Sequence, residues 1–139
     1  GNVIEAYWQR RDSPDSATRS AAAQAWLGWE DFAATLVHEV NAVSDADPLD
    51  TLAKARIEAH YFRHNAFLEH GQLLRDIDRI RHLPGVIVQG RYDIICPPRS
   101  AWDLSQAWPE ARREMVLSGH SATQPATVDA LVRATDAFA

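Results

Sequence analysis

Two residues of the kinds that move protons in enzymes, Asp93 and His120, each follow a predicted β-strand. Asp93 comes just after Val86–Val88, a β-branched run closed by Gly90, and His120 follows the predicted strand 114–117. Because neighbouring parallel strands lie about 4.8 Å apart and end at one edge of a sheet, we expect the two side chains to meet there. An aspartate after a strand is most often a turn former and a loop histidine is most often solvated. Their placement on successive strand ends makes the pair more specific than either residue alone.

An acid followed by a histidine on the last two strands is the end of the Ser, Asp, His order that α/β-hydrolases use. In that chemistry the histidine takes the proton of the nucleophile, while the acid fixes the histidine tautomer and stabilises the imidazolium. Asp93 and His120 are therefore the predicted catalytic residues. The 139 residues contain no Gly-x-Ser-x-Gly motif, so the sequence offers no nucleophilic serine for this pair.

The other residues that could bind a metal do not form a ligand pattern. His60 and His64 are four residues apart on a predicted helix, but no acid accompanies them as in zinc proteases. Cys96 stands alone, and a single cysteine is most often an inert buried side chain, so it receives no role. We predict neither a metal site nor a cofactor.

The elements that must position these residues change character near Leu83-Pro84-Gly85. Before that point the pattern predicts helices over 2–11, from about residue 16 to 40, over 48–62 and, interrupted by Gly71, over 68–80. The long second helix carries one apolar stripe, made of Ala22, Trp26, Trp29, Ala33, Leu36 and Val40. After that point the order is strand, helix over 98–107, strand, and a final helix from Pro125 through Phe138. This order predicts a parallel pair of strands, which cannot form a stable sheet without neighbours.

The composition excludes several classes of protein. The net charge is -5, and thirteen of the fourteen basic residues are scattered arginines, so we expect no nucleic-acid partner. No apolar run approaches the roughly 20 residues that a membrane crossing needs. One cysteine excludes an internal disulfide and indicates a reducing, cytoplasmic compartment. The sequence starts at Gly1 without an initiator methionine, as expected for a piece of a longer protein.

Several blocks of the sequence together resemble the C-terminal part of the proline iminopeptidases, the serine-peptidase branch of the α/β-hydrolase fold. In the second half these blocks are Gly90-Arg91-Tyr92-Asp93, Cys96-Pro97, Ala101-Trp102-Asp103-Leu104, Ala107-Trp108-Pro109-Glu110-Ala111 and Gly119-His120-Ser121-Ala122. In the helical half they are Ala25-Trp26, Trp29-Glu30, Ala55-Arg56-Ile57-Glu58 and His60-Tyr61-Phe62. The resemblance covers essentially the whole chain. It implies an α/β fold in which residues 1–82 are a mostly helical cap region and residues 83–139 are the last two parallel strands and helices of the core.

The resemblance also implies a substrate and two residues that bind it. In this family two cap glutamates hold the free α-amino group of an N-terminal proline, and Glu30 and Glu58 stand at the matching positions. A carboxylate pair suits a cationic end group because it forms charge-assisted hydrogen bonds with it. The implied substrate is a peptide with an N-terminal proline, and the family uses no cofactor or metal. From their spacing alone, both residues would be ordinary helix-surface acids paired with arginine, and it is the resemblance that assigns them to the substrate.

The nucleophile elbow and the oxyanion-hole segment of the family precede the cap, and both are absent here. We therefore expect this chain alone to be catalytically inactive. Its expected partners are the missing N-terminal half or a second copy, joined through the unpaired strand edge at Val86–Val88.

Two other functions remain open from the sequence. The chain could come from a different α/β-hydrolase, such as an esterase or amidase, with the same Asp93 and His120 but another cap specificity. It could also be a non-catalytic helical interaction module whose strands pair with another chain.

Overall fold

The computed structural model describes residues 3–36 and 47–139. Its helices are α1 (Val3–Arg11), α2 (Ser16–Ala34), α3 (Pro48–Arg63), α4 (Gln72–Arg75), α5 (Pro98–Ala107) and α6 (Pro125–Asp136). Its strands are β1 (Val86–Gly90) and β2 (Arg112–Val116), and short 3₁₀ turns cover Asn65–Phe67 and Ile77–Arg79. None of the helices in the part of the chain that the structure describes is long and apolar enough to span a bilayer.

The chain divides into two compact units. The helical unit is Gly1–Phe32 with Glu39–His70, and the sheet unit is Ala33–His38 with Gly71–Ala139. The last residues of α2 therefore belong to the sheet unit. The boundary predicted from the sequence, between residues 82 and 83, stays a prediction.

The helical unit packs through small side chains. In the described part of this unit, the buried apolar residues are Ala22 and Ala23 of α2 and Ala55 and Ala59 of α3. Arg11 is also buried, and its guanidinium lies 3.6 Å from the ring centroid of Trp8 while donating to a backbone carbonyl of α3 at 3.1 Å. A buried cation is tolerable because these contacts replace its hydration.

The sheet unit is built on two parallel strands, which confirms the mixed α/β class and the parallel pairing predicted from the sequence. The register places Val88 opposite Glu114 and Gly90 opposite Val116. α5 connects the strands, and α6 packs on them through the buried Ala130. A proline in the first turn starts both helices, where its missing N–H costs nothing.

The predicted end of the second helix near residue 40 is wrong. α2 ends at Ala34, whose carbonyl accepts the backbone N–H groups of His120 and Ser121 at 2.8 and 2.9 Å. Because the loop supplies these two donors, the Ala34 carbonyl has hydrogen-bond partners without a further turn of helix.

The predicted apolar stripe is also only partly buried. Ala22 is buried, but Trp29 is 65% exposed and Leu36 is 42% exposed, while Val40 lies outside the described residues.

The predicted helix over 68–80 is wrong as a single helix, because it is broken into α4 and a 3₁₀ turn. Gly71 precedes α4 with φ of 72°, in the left-handed region that glycine adopts readily.

Candidate active site

Asp93 lies three residues after the end of β1, where backbone contacts fix its carboxyl group. One oxygen, Oδ1, accepts the backbone N–H groups of Ile95 at 3.0 Å and Cys96 at 2.7 Å. The residue is only 7% exposed. Backbone donors that point at one oxygen stabilise the ionised carboxylate and leave the other oxygen, Oδ2, for a different partner.

That partner is His120, which the structure brings into contact with Asp93 as the strand ends suggested. Nδ1 of His120 lies 2.9 Å from Oδ2 of Asp93. Because a carboxylate only accepts hydrogen bonds, Nδ1 carries a proton and donates it to Asp93, and in the tautomer with its proton on Nδ1 the other nitrogen, Nε2, is an acceptor. The His120 side chain is 39% exposed, so the ring can meet another group.

The loop that carries His120 is held by backbone and side-chain bonds on both sides of the histidine. The Gly119 N–H donates to Oε1 of Gln124 at 2.6 Å, and the hydroxyls of Ser118 and Thr127 lie 2.7 Å apart in a buried pair. The carbonyl of Ala34 accepts the N–H of His120 itself. A Cβ on Gly119 would lie 2.6 Å from that carbonyl oxygen, so only glycine fits there.

A second glutamine ties down the loop that carries Asp93. Nε2 of Gln89, on β1, donates to the carbonyls of Gly90 at 3.0 Å and Cys96 at 3.1 Å, and lies 3.4 Å from Oδ2 of Asp93. Sequence reasoning missed both Gln89 and Gln124. The available signal for Gln124 was its place directly before Pro125, at the predicted start of the last helix.

The thiol of Cys96, next to this pair in the chain, is not an activated nucleophile. Although the residue is exposed, partial desolvation of the sulfur and the neighbouring Asp93 carboxylate raise the pKa of the Cys96 thiol. A thiol with a raised pKa stays protonated at neutral pH and is a poor nucleophile.

The helical unit brings the two predicted substrate-binding acids, Glu30 and Glu58, together. Nε1 of Trp26 donates to Oε2 of Glu58 at 3.0 Å, and Glu58 is close enough to Glu30 to raise the pKa of the Glu30 carboxyl group. Burial, the hydrogen bond with Glu58 and repulsion from the Glu58 and Asp31 carboxylates raise the pKa of Glu30 to about 7. Glu30 therefore keeps its proton to a higher pH than an ordinary glutamate does.

Aromatic side chains border the carboxyl pair. The ring of Trp26 lies 5.3 Å from Tyr7 in an edge-to-face contact and 6.1 Å from Phe62, centroid to centroid. These rings lower the local polarity around Glu58, in keeping with the partial burial of the pair. The helical unit thus offers acids beside an apolar surface.

Across residues 3–36 and 47–139, no three His, Cys, Asp or Glu side chains lie close enough to hold a metal ion. The ring of His64 instead uses Nδ1 to bond the carbonyl of His60 at 2.8 Å.

Comparison with known proteins places the chain beside one group of enzymes. It is 52% identical over 141 residues to a proline iminopeptidase of Xanthomonas citri, covering 99% of this chain and 45% of that protein. It is 49% identical to a proline iminopeptidase of Xylella fastidiosa, covering 99% of this chain and 45% of that one, and 44% identical to one of Arabidopsis thaliana, covering 97% and 36%. No family model matches the chain. The resemblance seen in the sequence blocks is therefore confirmed, and the chain spans less than half the length of these relatives.

Proposed function

We propose that this chain, homologous along its whole length to the proline iminopeptidases, is the C-terminal part of such an enzyme. The complete protein would release an N-terminal proline from peptides by serine-type hydrolysis. The observation that carries the proposal is the 2.9 Å contact between Nδ1 of His120 and Oδ2 of Asp93. It supplies the acid and the base in the chain order that α/β-hydrolases use.

The catalytic steps follow from the tautomer that Asp93 imposes. Nε2 of His120 takes the proton from a serine hydroxyl as the serine oxygen attacks the carbonyl carbon of the proline residue. Asp93 stabilises the imidazolium, and the same proton then passes to the leaving nitrogen of the second residue as the peptide bond breaks. In the second half-reaction His120 takes a proton from water, which attacks the acyl-serine, and returns it to the serine oxygen.

Glu30 and Glu58 would bind the cationic amino group of the substrate. The pair exchanges the proton of Glu30 for an ammonium group, which then donates to both acids. The aromatic rings beside Trp26 supply apolar surface that suits a pyrrolidine ring. The partial burial that raises the pKa of Glu30 also strengthens each hydrogen bond to the bound cation.

The test of the acid–base pair is Asp93→Asn in the complete enzyme. We expect kcat to fall by about four orders of magnitude, because an amide at this position favours the wrong histidine tautomer. Asp78→Asn is the matched control, since that side chain is 81% exposed and its ion pair with Arg81 lies on the surface. An Asp93→Asn enzyme that kept its activity would overturn the proposal.

The test of substrate recognition separates an aminopeptidase from an esterase or amidase. Glu30→Gln and Glu58→Gln should each raise KM for a proline-terminated peptide at least tenfold and leave the hydrolysis of a neutral ester nearly unchanged. Glu110→Gln, on the surface beside Arg81, is the control. Equal effects on both substrates, or no effect on the peptide, would favour the esterase alternative.

The 139 residues by themselves are expected to hydrolyse neither substrate. They contain no Gly-x-Ser-x-Gly motif, and the Cys96 thiol is held protonated, so His120 has no nucleophile to activate.

A further inference from the structure

We infer that Gln124 is a positioning residue for the general base, a role that rests on the proposed function of His120. Gln124 does not touch the His120 ring. It acts through the backbone of the preceding glycine, whose N–H donates to Oε1 of Gln124 at 2.6 Å.

The place of Gln124 in the fold makes its side chain a fixed acceptor for this loop, beside the Ala34 carbonyl. Gln124 is the N-cap of α6, and its own carbonyl accepts the N–H groups of Thr127 and Val128, both at 2.9 Å. Its backbone is thereby fixed to the first turn of a twelve-residue helix. Its backbone N–H also contacts the carbonyl of Ser121 at 3.4 Å, so Gln124 closes the loop on both sides of His120.

The side chain of Gln124 does not cap its own helix, although the residue stands at the N-cap of α6. An N-cap side chain normally accepts a hydrogen bond from the first turn of its own helix. Among the described residues, Gln124 makes no such capping bond, and its oxygen turns back to Gly119 instead. α6 therefore lacks a capping bond from this side chain. In return, the N–H of the buried Gly119 has an acceptor, which it would otherwise lack.

Loss of this acceptor should let the histidine move. Gly119 would have to turn its N–H toward water, and that rotation moves the next residue, His120, whose Nδ1 lies 2.9 Å from Asp93. A displacement of about 1 Å in a catalytic group is enough to cost on the order of a hundredfold in rate. Glutamate keeps a side-chain oxygen at the same reach, so it should preserve the bond, whereas methionine has the same length and lacks the acceptor.

The first experiment measures the activity of the complete enzyme. We expect Gln124→Met to lower kcat between about tenfold and a hundredfold and to leave KM within about twofold, because substrate binding does not use this loop. Gln124→Glu should stay within about threefold of the unmodified enzyme. Gln106→Met, at an exposed position of α5, is the matched control and should change neither constant. Equal kcat in the Gln124→Met and unmodified enzymes would overturn the inference.

The second experiment needs no activity and uses this chain itself. Long-range proton–nitrogen correlation spectra report which ring nitrogen of His120 carries the proton. We expect a single tautomer protonated at Nδ1 in the unmodified chain and in Gln124→Glu, and a mixture of both tautomers in Gln124→Met. If Gln124→Met does not fold, the rate of hydrogen exchange at the Gly119 amide of the unmodified chain tests whether the bond to Gln124 is present. Slow exchange supports the bond, and exchange at the rate of an unstructured peptide overturns it.

The two proposals fail in different ways. If Asp93→Asn leaves the complete enzyme active, the proposed role of His120 as the general base is wrong. If Asp93→Asn removes the activity while Gln124→Met changes neither kcat nor the His120 tautomer, only the role of Gln124 falls.

Discussion

The pKa of Glu30 is raised because the folded chain places this carboxyl group in a partly buried position beside the like charge of Glu58. Burial raises the pKa of Glu30 to about 7, against a usual value of 4.5, and the neighbouring Glu58 adds to the shift. The folded state therefore binds the Glu30 proton more tightly than the unfolded state does. This difference in proton binding makes its full contribution to the free energy of unfolding below pH 4.5. The contribution is lost as the pH rises from about 4.5 through 7.

Replacement of Glu30 by glutamine should consequently stabilise the chain at high pH. The glutamine side chain stays neutral and its amide can still donate to Glu58, so the repulsion that appears above pH 7 is absent. We expect the melting temperature of Glu30→Gln to exceed that of the unmodified chain by a few degrees at pH 8 and to match it at about pH 4, below the ordinary pKa of the carboxyl group. Thermal unfolding followed by circular dichroism at the two pH values measures both.

Glu110→Gln is the control, because it is expected to change the melting temperature in the opposite direction. The hydrogen bond from Arg81 lowers the pKa of Glu110, so its contribution to stability is present at neutral pH and is lost only in acid. Its loss should lower the melting temperature slightly at pH 8. A Glu30→Gln chain that melted below the unmodified chain at pH 8 would show that the carboxyl pair is not repulsive.

At the scale of elements, the loop between β2 and α6 depends on the close approach of backbone segments. Gly119 contacts the end of α2 so closely that a Cβ would lie 2.6 Å from the Ala34 oxygen and 3.0 Å from the Leu36 nitrogen. Gly90 contacts the same loop, where a Cβ would lie 1.9 Å from the Gly119 oxygen. These backbone contacts leave no room for a side chain at either glycine.

Gly119→Ala should therefore detach the histidine loop from α2. The added methyl group must push away the Ala34 carbonyl, and the two N–H bonds to that oxygen are lost with it. We expect a destabilisation of about 1–3 kcal/mol in urea unfolding. Gly28→Ala is the matched control, because a Cβ there meets nothing within 4 Å. In the interior of α2 that change should instead stabilise the chain by about 0.5–1 kcal/mol. A Gly119→Ala chain as stable as the unmodified one would contradict the tight contact.

The same contacts explain which elements could be predicted from the sequence. α5 begins at Pro98 as expected, and α6 begins at Pro125, because proline marks the first turn by its own geometry. The end of α2 could not be predicted, since its last carbonyl is satisfied by residues 120 and 121, far along the chain. Local patterns carry no information about such a partner.

The candidate site divides in the same way. The approach of Asp93 and His120 could be expected from their positions on successive parallel strands, because strand spacing alone brings their loops together. The pairing of Glu30 with Glu58 followed only from the family resemblance. Gln89 could not be found, because an amide side chain that bonds a loop carbonyl leaves no periodic signal in the sequence. For Gln124, the place before Pro125 marked the start of a helix but not the hydrogen bond to Gly119.

At the scale of the whole molecule, the sheet is the least self-sufficient part of the chain. In the described residues it has two parallel strands, whereas stable parallel sheets have more strands and helices on both faces. Val86, Ile87 and Val88 of β1 remain partly exposed although their side chains are typical of buried strands. The homologous proline iminopeptidases are more than twice as long as this chain, so they have residues that could complete such a sheet.

Complementation tests whether the rest of such an enzyme completes this sheet. We expect a separately produced segment of a proline iminopeptidase that carries the nucleophilic serine to bind this chain and restore the release of N-terminal proline. Without that segment the chain should elute as a dimer or larger species in size-exclusion chromatography with light scattering, because an open strand edge pairs with another copy. Val88→Lys, which places a charge on the strand, should reduce both the self-association and the restored activity, whereas Val132→Lys on the exposed side of α6 should change neither. A stable monomer that gains no activity from the added segment would show that the two strands need no further partner.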